Sequence, residues 1–226
     1  MPKKPNENGR TSHIVLNVLG YDPGGGGSHG AAVTSVGKNG SVVIKVMTLD
    51  NVSDAISWFS SECIVPPNAA GIDTLLSWPF KNNAGWRAVD RYLRKSYPDV
   101  ARSVISANGL YGSMCLNGMS MAFKLREKWS HIVLNETHPK MLYRALTGKR
   151  YAFKASMTDW LQCKSKASNQ LEIKNEHEWD AAISAWFTFQ SFIGETNRDL
   201  AEEHQDEELI YPVGSVHYYW PNEDDV

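Results

Sequence analysis

Runs of apolar residues divide the first part of the chain into three predicted strands. Residues 13–21 read HIVLNVLGY, a run that is too short for a typical helix and leads into a Gly-rich turn. HGAAVTSV and SVVIKVM then follow on either side of the turn at residues 37–40, GKNG. A tight turn between two such runs is typical of a β-hairpin. The pattern therefore predicts an antiparallel three-stranded meander.

A helix and two parallel strands are predicted to follow the meander. Residues 51–54, NVSD, offer capping side chains before an apolar stretch that continues to about Cys63, and the prolines at 66–67 prevent any extension. Short apolar runs at 69–72 and 131–135 can rejoin the sheet in parallel, because a helix separates the hairpin from the first of them. The expected fold is therefore α/β, with a mixed five-stranded sheet flanked by helices.

Helical periodicity accounts for most of the remaining chain. Helices are expected near 86–96, 117–129, after Pro139, at 156–164 and at 176–192, and the C-terminal IYPVGSVHYYWP is expected to form a final strand pair or an extended cap. The length of 226 residues, with 42% hydrophobic residues, favours a single domain over 1–226. Within it we expect a helical insertion at about 80–130 and an acidic C-terminal extension at about 195–226.

The charge of the chain is unevenly distributed. From Glu195 onward there are ten acidic residues and one basic residue, a charge of −9, whereas residues 1–194 hold 22 basic and 15 acidic residues, a charge of +7. A basic body suits a polyanionic ligand such as nucleic acid, because neutralising phosphates releases counterions. In the tail, the cluster of acidic residues is typical of a solvated helix face, namely Glu202, Glu203, Asp206, Glu207 and Glu208.

Several protein classes are disfavoured by the composition. No apolar run is long enough to span a membrane, and the polar residues 1–10 lack the apolar core of a secretory signal. The three cysteines are widely spaced without a C-x-x-C pair, which argues against a disulfide framework and a thiolate zinc site. The expectation is a soluble cytoplasmic protein with reduced cysteines, whose oligomeric state stays open.

Acidic side chains fall at the ends of the predicted strands. Asp22 follows the first strand, Asp73 follows the fourth and Glu136 follows the fifth. The ends of parallel strands meet at one edge of a sheet, where open α/β sheets place their sites. Clustered carboxylates repel one another unless a cation is bound, and oxygen ligands favour Mg²⁺ or Mn²⁺. Each acid taken alone also fits a turn or a helix cap.

The late predicted helix adds a further acid. Its sequence NEHEWDAAISAW places His177 and Asp180 three residues apart on one face, and small residues after Asp180 allow the helix to approach the sheet closely. Asp180 can thus reach a metal that is held at the strand ends, with His177 beside it. The alternatives are that Asp180 is a cap or ion-pair residue at the helix start and that His177 is merely exposed.

These motifs, in this order, resemble the DUF429 family of predicted nucleases in the RNase H-like superfamily. The family shows an opening G-x-D before a Gly-rich turn, an I-D strand end, an E-x-H-P segment and a late helix with D-A among alanines. Here they stand as GYDPGGGG, GIDTLLSW, NETHPKM and EHEWDAAISAW, between residues 21 and 186, and residues 85–91 resemble an R-x-x-D-R stretch. The TLLS segment after Asp73 departs from the family's proline-containing pattern.

The resemblance implies a metal-dependent nuclease. Asp22, Asp73, Glu136 and Asp180 match the acidic positions of the family, and they would act as catalytic residues and ligands of Mg²⁺ or Mn²⁺. His177 stands where the family often has an aspartate. It is similar to the H-x-x-D variant of RuvC-like resolvases and would be a further metal ligand.

Substrate contacts are expected from residues near these acids. The backbone of the Gly24–Gly27 loop can face a phosphate, and basic side chains can contact phosphates or move a proton. The candidates are Gly25, Gly26, Ser28, Arg87, Arg91, His138 and Lys140.

Two other functions stay open. One is a catalytically silent nucleic-acid-binding or regulatory protein of the same fold, since a fold alone does not guarantee chemistry. The other is a nucleotide phosphohydrolase or phosphotransferase, since actin-like kinases share the meander and a D-x-G-G turn. Whether the nucleic acid is DNA or RNA is left open.

Overall fold

A mixed sheet forms the centre of the fold in the computed structural model, which describes residues 14–79, 85–109, 112–205 and 208–222. Its strands are β1 (Ile14–Asp22), β2 (His29–Gly37), β3 (Val42–Leu49), β4 (Ala69–Ile72) and β6 (Val133–Glu136). They lie in the order β3-β2-β1-β4-β6. The first three pair antiparallel, whereas β4 joins β1 and β6 joins β4 in parallel. The expected α/β fold with a meander followed by parallel strands is confirmed.

Seven α-helices are described around the sheet. They are α1 (Val52–Glu62), α2 (Ala88–Ser96), α3 (Gly112–Lys128), α4 (Pro139–Thr147), α5 (Ala155–Ser165), α6 (Glu176–Phe192) and α7 (Leu200–Glu203). The first helix begins where the sequence predicts, because the Asn51 side chain caps it by accepting from the Asp54 amide. The third begins five residues before the expected position, at Gly112. No helix among these described residues is long and apolar enough to cross a membrane.

Side chains from the two faces of the sheet enter separate cores. Val18 and Ala69 pack in the cluster that includes α6, whereas their neighbours Leu19 and Ala70 pack in the cluster that includes α1 and α3. This alternation follows from the two-residue period of a strand. Helix α6 is buried around most of its circumference, because α4, α5 and the C-terminal segment cover the side that faces away from the sheet.

Residues 208–222, the described C-terminal segment, do not form a hairpin of their own. The strands β8 (Leu209–Ile210) and β9 (Tyr219–Trp220) pair antiparallel with β5 (Trp78–Pro79) and β7 (Arg198–Asp199). His217 adds one parallel bridge beside Asn135 at the edge of the main sheet. The segment therefore caps the sheet, which agrees with the second of the two expected forms.

Candidate metal centre

Three aspartates from distant parts of the chain meet at one edge of the sheet. Asp22 is the last residue of β1, Asp73 directly follows β4, and Asp180 lies near the start of α6. Strands β1 and β4 are parallel neighbours, and the Asp73 amide donates to the Tyr21 carbonyl at 2.9 Å, so the two strand ends lie side by side. One carboxylate oxygen of each aspartate lies within 4.8 Å of the others. The structure thus brings these three predicted residues together.

Close packing of α6 on the sheet delivers Asp180 to this edge. A Cβ atom added at Gly20 of β1 would overlap the carbonyl oxygen of Ala181, and one added at Gly30 of β2 would overlap that of His177. The backbone of α6 therefore lies against strands that carry no side chain at the points of closest approach. The Asn175 side chain caps the helix by accepting from the Glu178 amide at 3.0 Å.

The aspartates are shielded from solvent and repel one another. Asp22 and Asp180 are each only 4% exposed, and Asp73 is partly buried. Burial raises the pKa of Asp73 and of Asp180, and the nearby charge of Asp22 raises both pKa values further. A divalent cation relieves this repulsion, and a set of carboxylate oxygens is what Mg²⁺ and Mn²⁺ prefer. The donor set therefore fits either ion.

His177 lies beside the aspartates and forms a hydrogen bond with one of them, Asp22. Its Nδ1 atom is 2.5 Å from Oδ2 of Asp22, and the side chain is 33% exposed. In the described part of the chain, the group of converging ligand atoms consists of the three aspartates, without His177.

Tyr151 is a neighbour of the site that the sequence analysis missed. Its hydroxyl donates to Oδ1 of Asp180 at 2.8 Å. The Nζ atom of Lys140 lies 5.4 Å from the centroid of the Tyr151 ring, and the Lys140 charge partly offsets the raised pKa of Asp73 and of Asp180. Tyr151 follows α4 in a segment without regular structure, and no motif marks it in the sequence. Lys140, an expected phosphate contact, is thus close to the carboxylates.

Glu136 does not join the aspartates, contrary to the expectation that it ligates metal. It ends β6 in register with Ile72, one residue before the position that lies level with Asp73. The register places the next residue, Thr137, level with Asp73, and the Thr137 hydroxyl bonds to that of Ser184 in α6 at 2.8 Å. Because successive residues of a strand face opposite sides, Glu136 faces away from α6. The Glu136 carboxylate instead accepts from the Leu76 amide at 2.8 Å and from Arg87.

Arg87 is not available to a substrate phosphate. It is 2% exposed, and its guanidinium donates to Asp90, Glu136 and Ser77. Contact with nucleic acid would require breaking these buried hydrogen bonds. This argues against its expected role in substrate binding.

His138 is likewise poorly placed for proton transfer near neutral pH. Its Nε2 atom lies 2.9 Å from the Ser103 carbonyl oxygen, which accepts the Nε2 hydrogen. Burial lowers the pKa of His138 to about 4, so the ring is neutral at pH 7. Arg91, by contrast, is exposed on α2 and donates to the Trp86 carbonyl at 2.6 Å.

The Gly-rich loop adjoins Asp22 at the surface. Gly25 and Gly26 are exposed and Ser28 is partly exposed. Two side chains of α3 hold the loop, because Asn117 donates to the Gly24 carbonyl at 2.9 Å and Ser113 donates to that of Gly25 at 3.1 Å. The loop is thus anchored at its first residues and open to solvent beyond them.

Comparisons with known proteins give structural likeness at low identity. No family model and no curated protein matches the sequence. A Thermus thermophilus RuvC structure is 13% identical, with a TM-score of 0.43, and the match covers 79% of this chain and 97% of that chain. RuvC of the same organism in complex with Holliday junction substrate is 13% identical, with a TM-score of 0.47 and coverage of 80% and 97%.

Proposed function

We propose that this protein is a nuclease that hydrolyses phosphodiester bonds of nucleic acid with Mg²⁺ or Mn²⁺ held by Asp22, Asp73 and Asp180. The observation that carries the proposal is the convergence of their carboxylate oxygens to within 4.8 Å of one another. Such a metal polarises phosphoryl oxygens and activates water when it is bound. The resemblance of the motif order to that of DUF429 supports the same assignment, and membership of that family is part of the proposal.

The surrounding residues have distinct roles in this proposal. Tyr151 orients Asp180 by donating to one of its oxygens, and His177 orients Asp22 in the same way. The Lys140 ammonium supplies positive charge next to the carboxylates, where a substrate phosphate would lie. The exposed loop at Gly25 and Gly26 and the exposed Arg91 would contact the nucleic-acid backbone further from the metal.

Metal binding is the first test of this function. Isothermal titration calorimetry with Mn²⁺ should show site-specific binding to the wild-type protein, and Asp22→Asn and Asp180→Asn should abolish it. Asp159→Asn provides a matched control, because Asp159 is an exposed aspartate on α5. Binding that persists in both site variants would overturn the assignment of the metal centre.

Cleavage is the second test. The wild-type protein should cleave at least one member of a panel of single-stranded, duplex, hybrid and branched nucleic acids in Mn²⁺, and Asp22→Asn and Asp180→Asn should not. Equal cleavage by wild-type and variant preparations would identify a contaminating nuclease. Nucleic-acid binding without Mn²⁺ binding or cleavage would instead indicate a silent binding module, and ATP hydrolysis would indicate a nucleotide phosphohydrolase or phosphotransferase.

A further inference from the structure

A buried network of charged residues lies at the end of β6, the strand next to β4. The side chains of Arg87 and Asp90 are each 2% exposed, and that of Glu136 is 5% exposed. Arg87 donates through Nη2 to Asp90 at 2.7 Å and to Glu136 at 2.5 Å, and through Nη1 to the second Glu136 oxygen at 2.8 Å. The guanidinium therefore holds Glu136 with both ends of its fork.

The network also holds the segment that follows Asp73. The Leu76 amide donates to Oε2 of Glu136 at 2.8 Å, and Arg87 donates to the Ser77 hydroxyl at 2.9 Å. At the other end of this segment, the Asp73 amide donates to Tyr21 of β1. The backbone from Asp73 to Ser77 is thus fixed to the sheet at one end and to the buried ion pair at the other.

A contribution to stability does not by itself explain why this buried ion pair is present. Removing two charges from water offsets most of their attraction, so a buried ion pair contributes little net free energy compared with apolar side chains of similar size. Its hydrogen bonds are directional, however, and they define where the bonded groups lie. Arg87 also balances the charge of Glu136, which otherwise adds to the repulsion at Asp73.

We propose that Arg87 and Glu136 are positioning residues for the metal centre. Arg87 turns the Glu136 carboxylate onto the Leu76 amide, and this contact keeps Asp73 in the position where it can share a cation with Asp22. The inference rests on the proposed function, because it presumes that the three aspartates bind metal.

Arg87→Lys is the main test, since lysine keeps the charge and loses the fork. We expect its dissociation constant for Mn²⁺, measured by calorimetry where circular dichroism shows the variant to be folded, to rise by about 10-fold or more. The matched control is Arg144→Lys, since Arg144 pairs with the exposed Asp99 at 2.8 Å, and this variant should bind Mn²⁺ as the wild type does. A lower melting temperature with unchanged Mn²⁺ affinity in Arg87→Lys would reduce the pair to a structural role and overturn the proposal.

Glu136→Gln supplies a second variant if Arg87→Lys does not fold. It removes a negative charge, which by itself weakens cation binding, and salt screens this effect poorly because Glu136 is buried. Asp90→Asn is therefore the charge-matched control, since Asp90 is the other buried carboxylate that pairs with Arg87 and the Leu76 amide donates to Glu136 instead. Equal losses of Mn²⁺ affinity in Glu136→Gln and Asp90→Asn would overturn the positioning role. If the wild-type protein binds no Mn²⁺, both the proposed function and this inference fail. If the wild type binds Mn²⁺ and the variants bind it equally well, this inference alone fails.

Discussion

His177 and Asp22 are joined by a hydrogen bond of 2.5 Å between Nδ1 and Oδ2. The pKa of His177 is raised above its ordinary value, chiefly by this hydrogen bond. Because the carboxylate oxygen accepts, Nδ1 carries the hydrogen, and Nε2 is the nitrogen left for a metal or for solvent. Orientation of Asp22 and ligation of a metal therefore depend on different atoms of the same ring.

Substitutions at His177 separate these two roles. His177→Asn keeps an amide N–H close to the position of Nδ1, whereas His177→Ala removes both nitrogens. If His177 acts by orienting Asp22, His177→Ala should weaken Mn²⁺ binding about 10-fold and His177→Asn should retain most of the affinity. Calorimetric titration checks this. Equal losses in the two variants would show that Nε2 ligates the metal.

Tyr151→Phe should weaken metal binding without unfolding the protein. The variant loses the hydroxyl that donates to Asp180 and keeps the ring that packs edge-on against Trp179. Loss of a hydrogen bond to a ligating carboxylate reduces metal affinity by about 10-fold. Mn²⁺ titration measures the effect, and Tyr143→Phe, in the same aromatic cluster, is the control. Unchanged affinity in Tyr151→Phe would remove Tyr151 from the site.

Gly20→Ala should destabilise the fold and impair the site together. The new methyl group overlaps the backbone of α6 at Ala181, so the helix must move outward and carry Asp180 with it. We expect a loss of about 1–3 kcal/mol in the free energy of unfolding, measured by urea denaturation, together with weaker Mn²⁺ binding. Gly26→Ala, with no atom within 4 Å of the added carbon, should keep wild-type stability. Wild-type stability in Gly20→Ala would contradict the close packing of α6.

His138 should make the stability of the protein depend on pH in the mildly acidic range. Its pKa is lowered by burial to about 4 in the folded state, so between pH 6.5 and 4 the unfolded chain binds a proton that the folded protein does not. The free energy of unfolding should therefore decrease as the pH is lowered through this window. This group should account for a loss of about 2 kcal/mol at pH 5 relative to neutral pH.

The His138→Gln variant tests that assignment. Glutamine retains a donor for the Ser103 carbonyl but does not titrate, so the pH dependence should flatten. Urea denaturation at pH 5 and pH 7.5 gives the comparison, with His131→Gln as a control at an exposed histidine. A wild-type slope in His138→Gln would assign the dependence to other groups.

The aspartates at the strand ends could be predicted because strand patterns are local. Apolar runs mark where β1 and β4 stop, and parallel pairing then places Asp22 and Asp73 together. Asp180 needed a further inference, that small residues allow α6 to approach the sheet, and the contact of Ala181 with Gly20 bears this out.

The role of Glu136 could not be predicted in the same way, because it depends on register. A shift of one residue along β6 decides whether Glu136 or Thr137 faces α6, and the apolar pattern does not fix the end of a strand to one residue. Its partner Arg87 lies 49 residues away in the sequence, and no local pattern links the two. Tyr151 escapes prediction for a related reason, since only the tertiary fold brings it to Asp180.

The three aspartates of the proposed metal centre are synthesised at different times, so the centre is completed late. Asp22 and Asp73 lie at the ends of strands that are synthesised early, whereas Asp180 follows later in the chain with α6. Until that helix docks, the strand ends hold two acids and lack the third oxygen donor. Proposed hydrolytic activity would thus be confined to molecules that have completed their fold, and metal binding would in turn favour the completed state.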